Sequence, residues 1–143
     1  MKALVPYLVF DGNCREAMNF YEEVFGGNLE IMTFAEAPDE VFDGGEDKEA
    51  IKDSIMHSCL TNGALCLMAS DNSKGKPKTG DNVQLSIQCE SVDVLDNLFD
   101  TLSSGGKSVM PPDNAFWGAR FGMLTDKFGI NWMLNCPLEN KEQ

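Results

Sequence analysis

The sequence predicts an α+β chain made of two β-α-β-β-β modules that form a curled mixed sheet. Three observations predict it. A unit of strand, tight turn, helix and glycine stop spans Val5 to Gly27, the same unit returns from Gln84 to Gly106, and each copy leads into three further strand-like runs. A length of 143 residues is that of one domain, 1–143, with module 1 at about 3–70, a linker at about 71–80 and module 2 at about 81–136.

In the first unit, Val5-Pro6-Tyr7-Leu8-Val9-Phe10 is rich in β-branched and aromatic residues, as a strand should be, and Asp11-Gly12 ends it. Asn13 stands where a helix cap belongs, with Glu16 at the capping-box position three residues on. Ala17, Tyr21, Val24 and Phe25 give the following helix an apolar face, and Gly26-Gly27 supplies its left-handed stop. Asn28 to Ala35 reads as the next strand. Ser54 to Leu60 and Ala64 to Ala69 read as a hairpin around Thr61-Asn62-Gly63, whose Asn-Gly pair suits a tight turn. The polar stretch Ser70 to Gly80 joins the halves.

The second half repeats that order. Strand 82–89 alternates polar and apolar residues, Ser91 can cap a helix over 92–104, and Leu95, Leu98, Phe99 and Leu102 form its stripe before Gly105-Gly106. Lys107 to Met110, a break at Pro111-Pro112, Phe116 to Thr125 and Ile130 to Asn135 supply the remaining strands. Strand alternation divides the side chains into two layers. Leu8, Phe10, Leu85, Ile87, Cys89, Trp132 and Leu134 are expected against the helices. Tyr7, Gln84, Ser86, Gln88, Asn131 and Met133 are expected to line a cleft on the other side.

Composition narrows the function classes. The net charge of −12 argues against nucleic acid, whose phosphates call for Lys and Arg. Half of that charge lies in residues 36–53, where eight acids meet two lysines. The acids lack the D-x-D-x-D-G spacing of a calcium loop, so a solvated loop with a short helix is expected. There is no apolar run long enough to span a bilayer and no signal-peptide pattern at Met1, so a cytoplasmic protein without membrane contact is expected. The five cysteines form no C-x-x-C pair and fall on a helix or in apolar runs, the pattern of buried reduced thiols.

Several motifs occur together in order: Pro6-Tyr7-Leu8-Val9-Phe10-Asp11-Gly12-Asn13, Phe20-Tyr21-x-x-Val24-Phe25-Gly26-Gly27, Met56-His57, Leu67-Met68-Ala69-Ser70-Asp71, Phe116-Trp117-Gly118-Ala119-Arg120-Phe121-Gly122 and Asp126-Lys127-Phe128-Gly129. Across almost the whole chain they resemble the PhnB-like branch of the vicinal oxygen chelate superfamily, which includes glyoxalase I, bleomycin-resistance proteins and extradiol dioxygenases. The resemblance implies the glyoxalase/bleomycin resistance/dihydroxybiphenyl dioxygenase fold, and a homodimer.

Metal-dependent members of that superfamily hold a divalent ion with four His, Glu or Gln side chains, from the first and last strands of each module. At the matching places this chain offers Val5 or Pro6, Met68, Gln84 and Met133. A thioether is too soft for a hard ion and a lone amide is a weak ligand, so no metal and no cofactor are expected. No S-adenosylmethionine site is expected either, because the Gly pairs end helices and form no glycine-rich strand–turn–helix loop.

The ligand-binding candidates are Tyr7, His57, Met68, Gln84, Trp117, Arg120 and Met133. His57, the one histidine, is either a ligand-binding or acid–base group or a structural hydrogen-bonder between strands. Trp117 could floor a pocket and Arg120 could grip a carboxylate or phosphate; alternatively Arg120 pairs with Asp126 or another acid. Tyr7 is a cavity phenol or a tethered core residue. Met68 and Met133 are pseudo-symmetric, and line an adaptable apolar pocket or fill the core. The expected function is small-molecule binding without the usual metal site. The alternative is a metal-dependent lyase, isomerase or dioxygenase with displaced ligands, and no catalytic residue is assigned.

Overall fold

The structure, a computed structural model, describes residues 1–38 and 48–139. Half of the acidic loop, residues 39–47, therefore lies outside the described residues. The chain forms two compact units, Met1–Lys78 and Thr79–Gln143, each with its own four-stranded mixed sheet and helix.

In the first unit β1 (Tyr7–Phe10), α1 (Cys14–Phe25), β2 (Asn28–Thr33), α2 (Lys48–Ile51), β3 (Ile55–Asn62) and β4 (Leu65–Asp71) give the sheet order β1-β4-β3-β2. In the second, β5 (Leu85–Gln88), α3 (Val92–Leu102), β6 (Lys107–Ala115), β7 (Ala119–Thr125) and β8 (Asn131–Pro137) give β5-β8-β7-β6. In each sheet the first strand runs parallel to the last and the other pairs are antiparallel. The two β-α-β-β-β modules are thus present, with a mixed sheet in each.

Their registers coincide. Leu8 faces Ala69 and Met68 faces Cys59 in one sheet; Ile87 faces Leu134 and Met133 faces Met123 in the other. Met68 and Met133 therefore occupy equivalent places. Each helix buries a stripe on one face of its sheet. On α1 the stripe is Cys14, Ala17, Met18 and Tyr21, one turn earlier than expected from sequence; on α3 it is Leu95, Phe99 and Leu102. Opposite α1 lie Ile55, Leu60, Leu67 and Ala69, all buried. Each large apolar side chain enclosed this way contributes about 1.5–3 kcal/mol.

Four local expectations need correction. Asn13 makes no side-chain cap; the Cys14 amide donates to Asp71 Oδ1 at 2.9 Å instead. Ser91 does cap α3, accepting from the Val94 amide at 3.1 Å. Pro111-Pro112 does not break the strand, because β6 is an edge strand, its pairing with β7 shifts register before and across the two prolines, and a residue lacking an N–H is tolerated there. Phe116-Trp117-Gly118 forms the turn before β7 and is not part of the strand. β5 is also shorter than the expected 82–89 and leaves Gln84 outside it.

Candidate functional site

The face of the first sheet turned away from α1 gathers three of the candidates, Tyr7, His57 and Met68. Alternation from buried Phe10 and half-buried Leu8 sends Tyr7 and Val9 there, and both are exposed. On β4, buried Leu67, Ala69 and Asp71 leave Cys66, Met68 and Ser70 on that side. His57 arrives through a bulge. The register against β2 jumps between Met32–His57 and Thr33–Ile55, so Met56 is an extra residue in β3. Simple alternation would place Ile55 and His57 on one face. The bulge lets Ile55 be buried while the imidazole turns the other way.

There the Tyr7 hydroxyl stands 3.4 Å from His57 Nδ1, with the ring centroids 5.9 Å apart and the rings tilted by 31°. Met68 is level with Tyr7 on the neighbouring strand. The pair joins one hydroxyl to one ring nitrogen, and which of them donates depends on the imidazole tautomer. His57 Nε2 is the ring nitrogen this contact does not use.

The second unit distributes its candidates differently. Met133 lies between Ser86 and Met123 on the face turned away from α3. Trp117, in the β6–β7 turn, sets its ring edge-on to Phe121 at 5.6 Å and to Phe116 at 5.2 Å, and is 55% exposed. Gln84 donates to the Asp81 carbonyl at 3.2 Å. Arg120 does not pair with Asp126. Its Nε donates to Asp96 Oδ1 on α3 at 2.8 Å and its guanidinium also reaches Asn114 at 3.2 Å. The Asp96 bond raises the guanidinium above its already high ordinary value. Asp126 is occupied by the Trp132 indole at 2.8 Å and by the Phe128 and Ile130 amides.

The metal positions can now be compared with the register. Register sets Met68 level with Tyr7 and Met133 level with Ser86. In each unit the last strand offers a thioether, Met68 or Met133, where a hard divalent ion takes carboxylate oxygens and imidazoles. Among the described residues, no three His, Cys, Asp or Glu side chains converge.

Sequence reasoning missed two features. Cys59 and Cys66, expected to be buried, are half-buried on the His57 face with their sulfurs 3.9 Å apart. The available signal was parity, since Cys59 follows His57 by two and Cys66 precedes Met68 by two. The remaining thiols, Cys14, Cys89 and Cys136, are buried and free. Burial pushes Cys14 up to about 12 and Cys89 up to about 11. The second feature is a groove of about 460 Å³ at the start of α1, lined by Asn13, Arg15, Glu16, Asn19 and Asp53 with Asp71 beneath. It contains none of the candidates, and the Asp71 carboxylate already serves two backbone amides.

Twin β-α-β-β-β units with matching registers define a duplicated-module protein of the vicinal oxygen chelate type. The chain belongs to the glyoxalase/bleomycin resistance protein/dioxygenase superfamily, whose sequence profile matches residues 3–134. Protein YjdN of Escherichia coli (strain K12) is 31% identical over 145 residues, spanning 98% of this chain and 99% of its own length. The crystal structure of protein PA1353 from Pseudomonas aeruginosa is similar at 40% identity and a TM-score of 0.83, covering 97% of this chain and 100% of that one. The PhnB protein from Bacillus cereus is similar at 26% identity and a TM-score of 0.73, covering 94% and 99%. Among the described residues, no helix is long and apolar enough to cross a membrane.

Proposed function

We propose that this protein is a PhnB-like member of the superfamily that binds a small organic molecule on the sheet face carrying Tyr7, His57 and Met68, acts as a homodimer, and does so without the superfamily's hard-cation chelate. The observation that carries this reading is the Tyr7–His57 contact beside Met68. A phenol and an imidazole supply directional hydrogen bonds, while the thioether and Val9 supply an adaptable apolar surface, the mixture that small-molecule sites use. In the second unit, Met133, Trp117 and Gln84 are proposed as ligand contacts of that unit's own surface. Arg120, bound to Asp96, is proposed to act at most by holding the turn that bears Trp117.

Elemental analysis and native mass spectrometry of freshly purified protein test this reading together. The expected result is a dimer that carries no stoichiometric hard divalent ion and holds a small molecule released on denaturation. A tightly held Ni, Zn, Mn or Fe(II) ion at one per chain overturns it in favour of a metal-dependent enzyme. The thermal midpoint gives a second check, because a metal that binds the native state raises it by mass action. None of those four ions is expected to do so.

A further inference from the structure

The two half-buried cysteines form a site of their own. Register places Cys59 opposite Met68 and Thr61 opposite Cys66, so the cysteines are diagonal neighbours across the β3–β4 hairpin, with sulfurs 3.9 Å apart. That separation discriminates between two fates. A disulfide needs sulfurs at about 2.05 Å and β-carbons within about 4.5 Å. Diagonal positions across a hairpin stand ~7 Å apart, so oxidation would have to move backbone. Two sulfurs bound to one tetrahedral ion through bonds of about 2.3 Å lie ~3.8 Å apart. The thiols are already at the spacing of a pair bridged by an ion.

A further sulfur donor lies on the same face. Met68 is directly opposite Cys59, shares the face of both cysteines and is half-buried. His57 lies two residues before Cys59, but its ring does not converge with the two sulfurs. No third His, Cys, Asp or Glu joins the pair among the described residues, so the thioether completes the set. Thiolate and thioether donors select soft ions such as copper(I), whereas hard ions require oxygen. We propose that Cys59, Cys66 and Met68 form a binding site for a soft monovalent cation of the copper(I) class. The site does not depend on the small-molecule reading above.

The test is an anaerobic titration of the full chain with copper(I) against a chromophoric bicinchoninate competitor. One equivalent should leave the competitor, and a thiolate-to-copper charge-transfer band should appear. Cys59→Ala and Cys66→Ala should each weaken capture by more than the ~100-fold that loss of a supporting neighbour costs at a metal site. Met68→Leu conserves volume and fold, and should weaken capture by a smaller but measurable factor. Unchanged capture in either cysteine variant overturns the proposal, because the ion would then sit elsewhere, for instance at Cys89 and Cys136. If a cysteine variant fails to fold, Met68→Leu decides alone, and parental affinity in it overturns the three-sulfur site. Equal competition by zinc does so too.

Discussion

Asp71 Oδ1 accepts the Cys14 amide at 2.9 Å, so the end of β4 caps the start of α1. The other oxygen, Oδ2, accepts the Ile55 amide at 2.8 Å, and the carboxylate is only 6% exposed. One side chain thus fastens helix, hairpin and strand together. Asp71→Ala leaves two buried donors unsatisfied and should cost about 2–5 kcal/mol, while Asp71→Asn retains one acceptor and should cost about 1–3 kcal/mol. Urea denaturation checks both values. An Ala variant as stable as the parent would show that the two bonds contribute nothing.

The repeat has an energetic signature in Gly27 and Gly106. A β-carbon on either would collide with backbone, at the Thr61 carbonyl for Gly27 and the Thr125 carbonyl for Gly106. Thr61 and Thr125 are themselves equivalent in the two registers. Gly27 also has a φ of +104°, which Gly106 does not share. Gly106→Ala should therefore cost about 1–3 kcal/mol through overpacking, and Gly27→Ala a further ~1 kcal/mol or more for the left-handed backbone. Thermal or urea unfolding of the two variants gives the order. Equal losses would mean that backbone handedness plays no part.

The fold was legible because its signals are local and repeated. Ser91 before an apolar stripe, Asn62-Gly63 between two strands and paired glycines after each helix each act within a few residues. What was not legible depends on residues distant in sequence. Asn13 looks like a cap, yet Asp71, 58 positions later, provides it. Pro111-Pro112 reads as a stop until β6 proves to be an edge strand. Arg120 has acids on several sides in sequence, and only the packing of α3 against β7 selects Asp96. His57 was identified as a candidate by residue type, but its facing rests on a bulge that residue alternation cannot reveal.

Two buried thiols predict an alkaline weakness. Burial lifts Cys14 from 9.0 to about 12, with Ser58 partly offsetting it and Asp71 adding to it. Burial, then Cys136, lifts Cys89 from 9.0 to about 11. The unfolded chain therefore releases these protons from pH 9 upward while the native state keeps them, so stability is full below that pH and falls above it. Each thiol contributes a slope of up to about 1.4 kcal/mol per pH unit. Denaturant unfolding between about pH 8 and about pH 11 should show the decline, with a smaller slope in Cys14→Ala. Parallel curves for parent and variant would remove Cys14 as a cause.

The Tyr7–His57 contact separates a binding role from a structural one. Tyr7 is 47% exposed and its hydroxyl contact is long at 3.4 Å. A hydrogen bond near the limit of useful distance, on a half-solvated ring, adds little to folding. Tyr7→Phe keeps the ring and should change stability by less than about 0.5 kcal/mol. If the pair instead fastens β1 to β3, the loss should reach about 1 kcal/mol or more. Urea denaturation distinguishes these results. A small loss, together with depletion of any molecule that co-purifies with the parent in native mass spectrometry, supports the ligand-facing role, whereas a large loss makes the contact a structural tie and removes the observation on which the binding proposal stands.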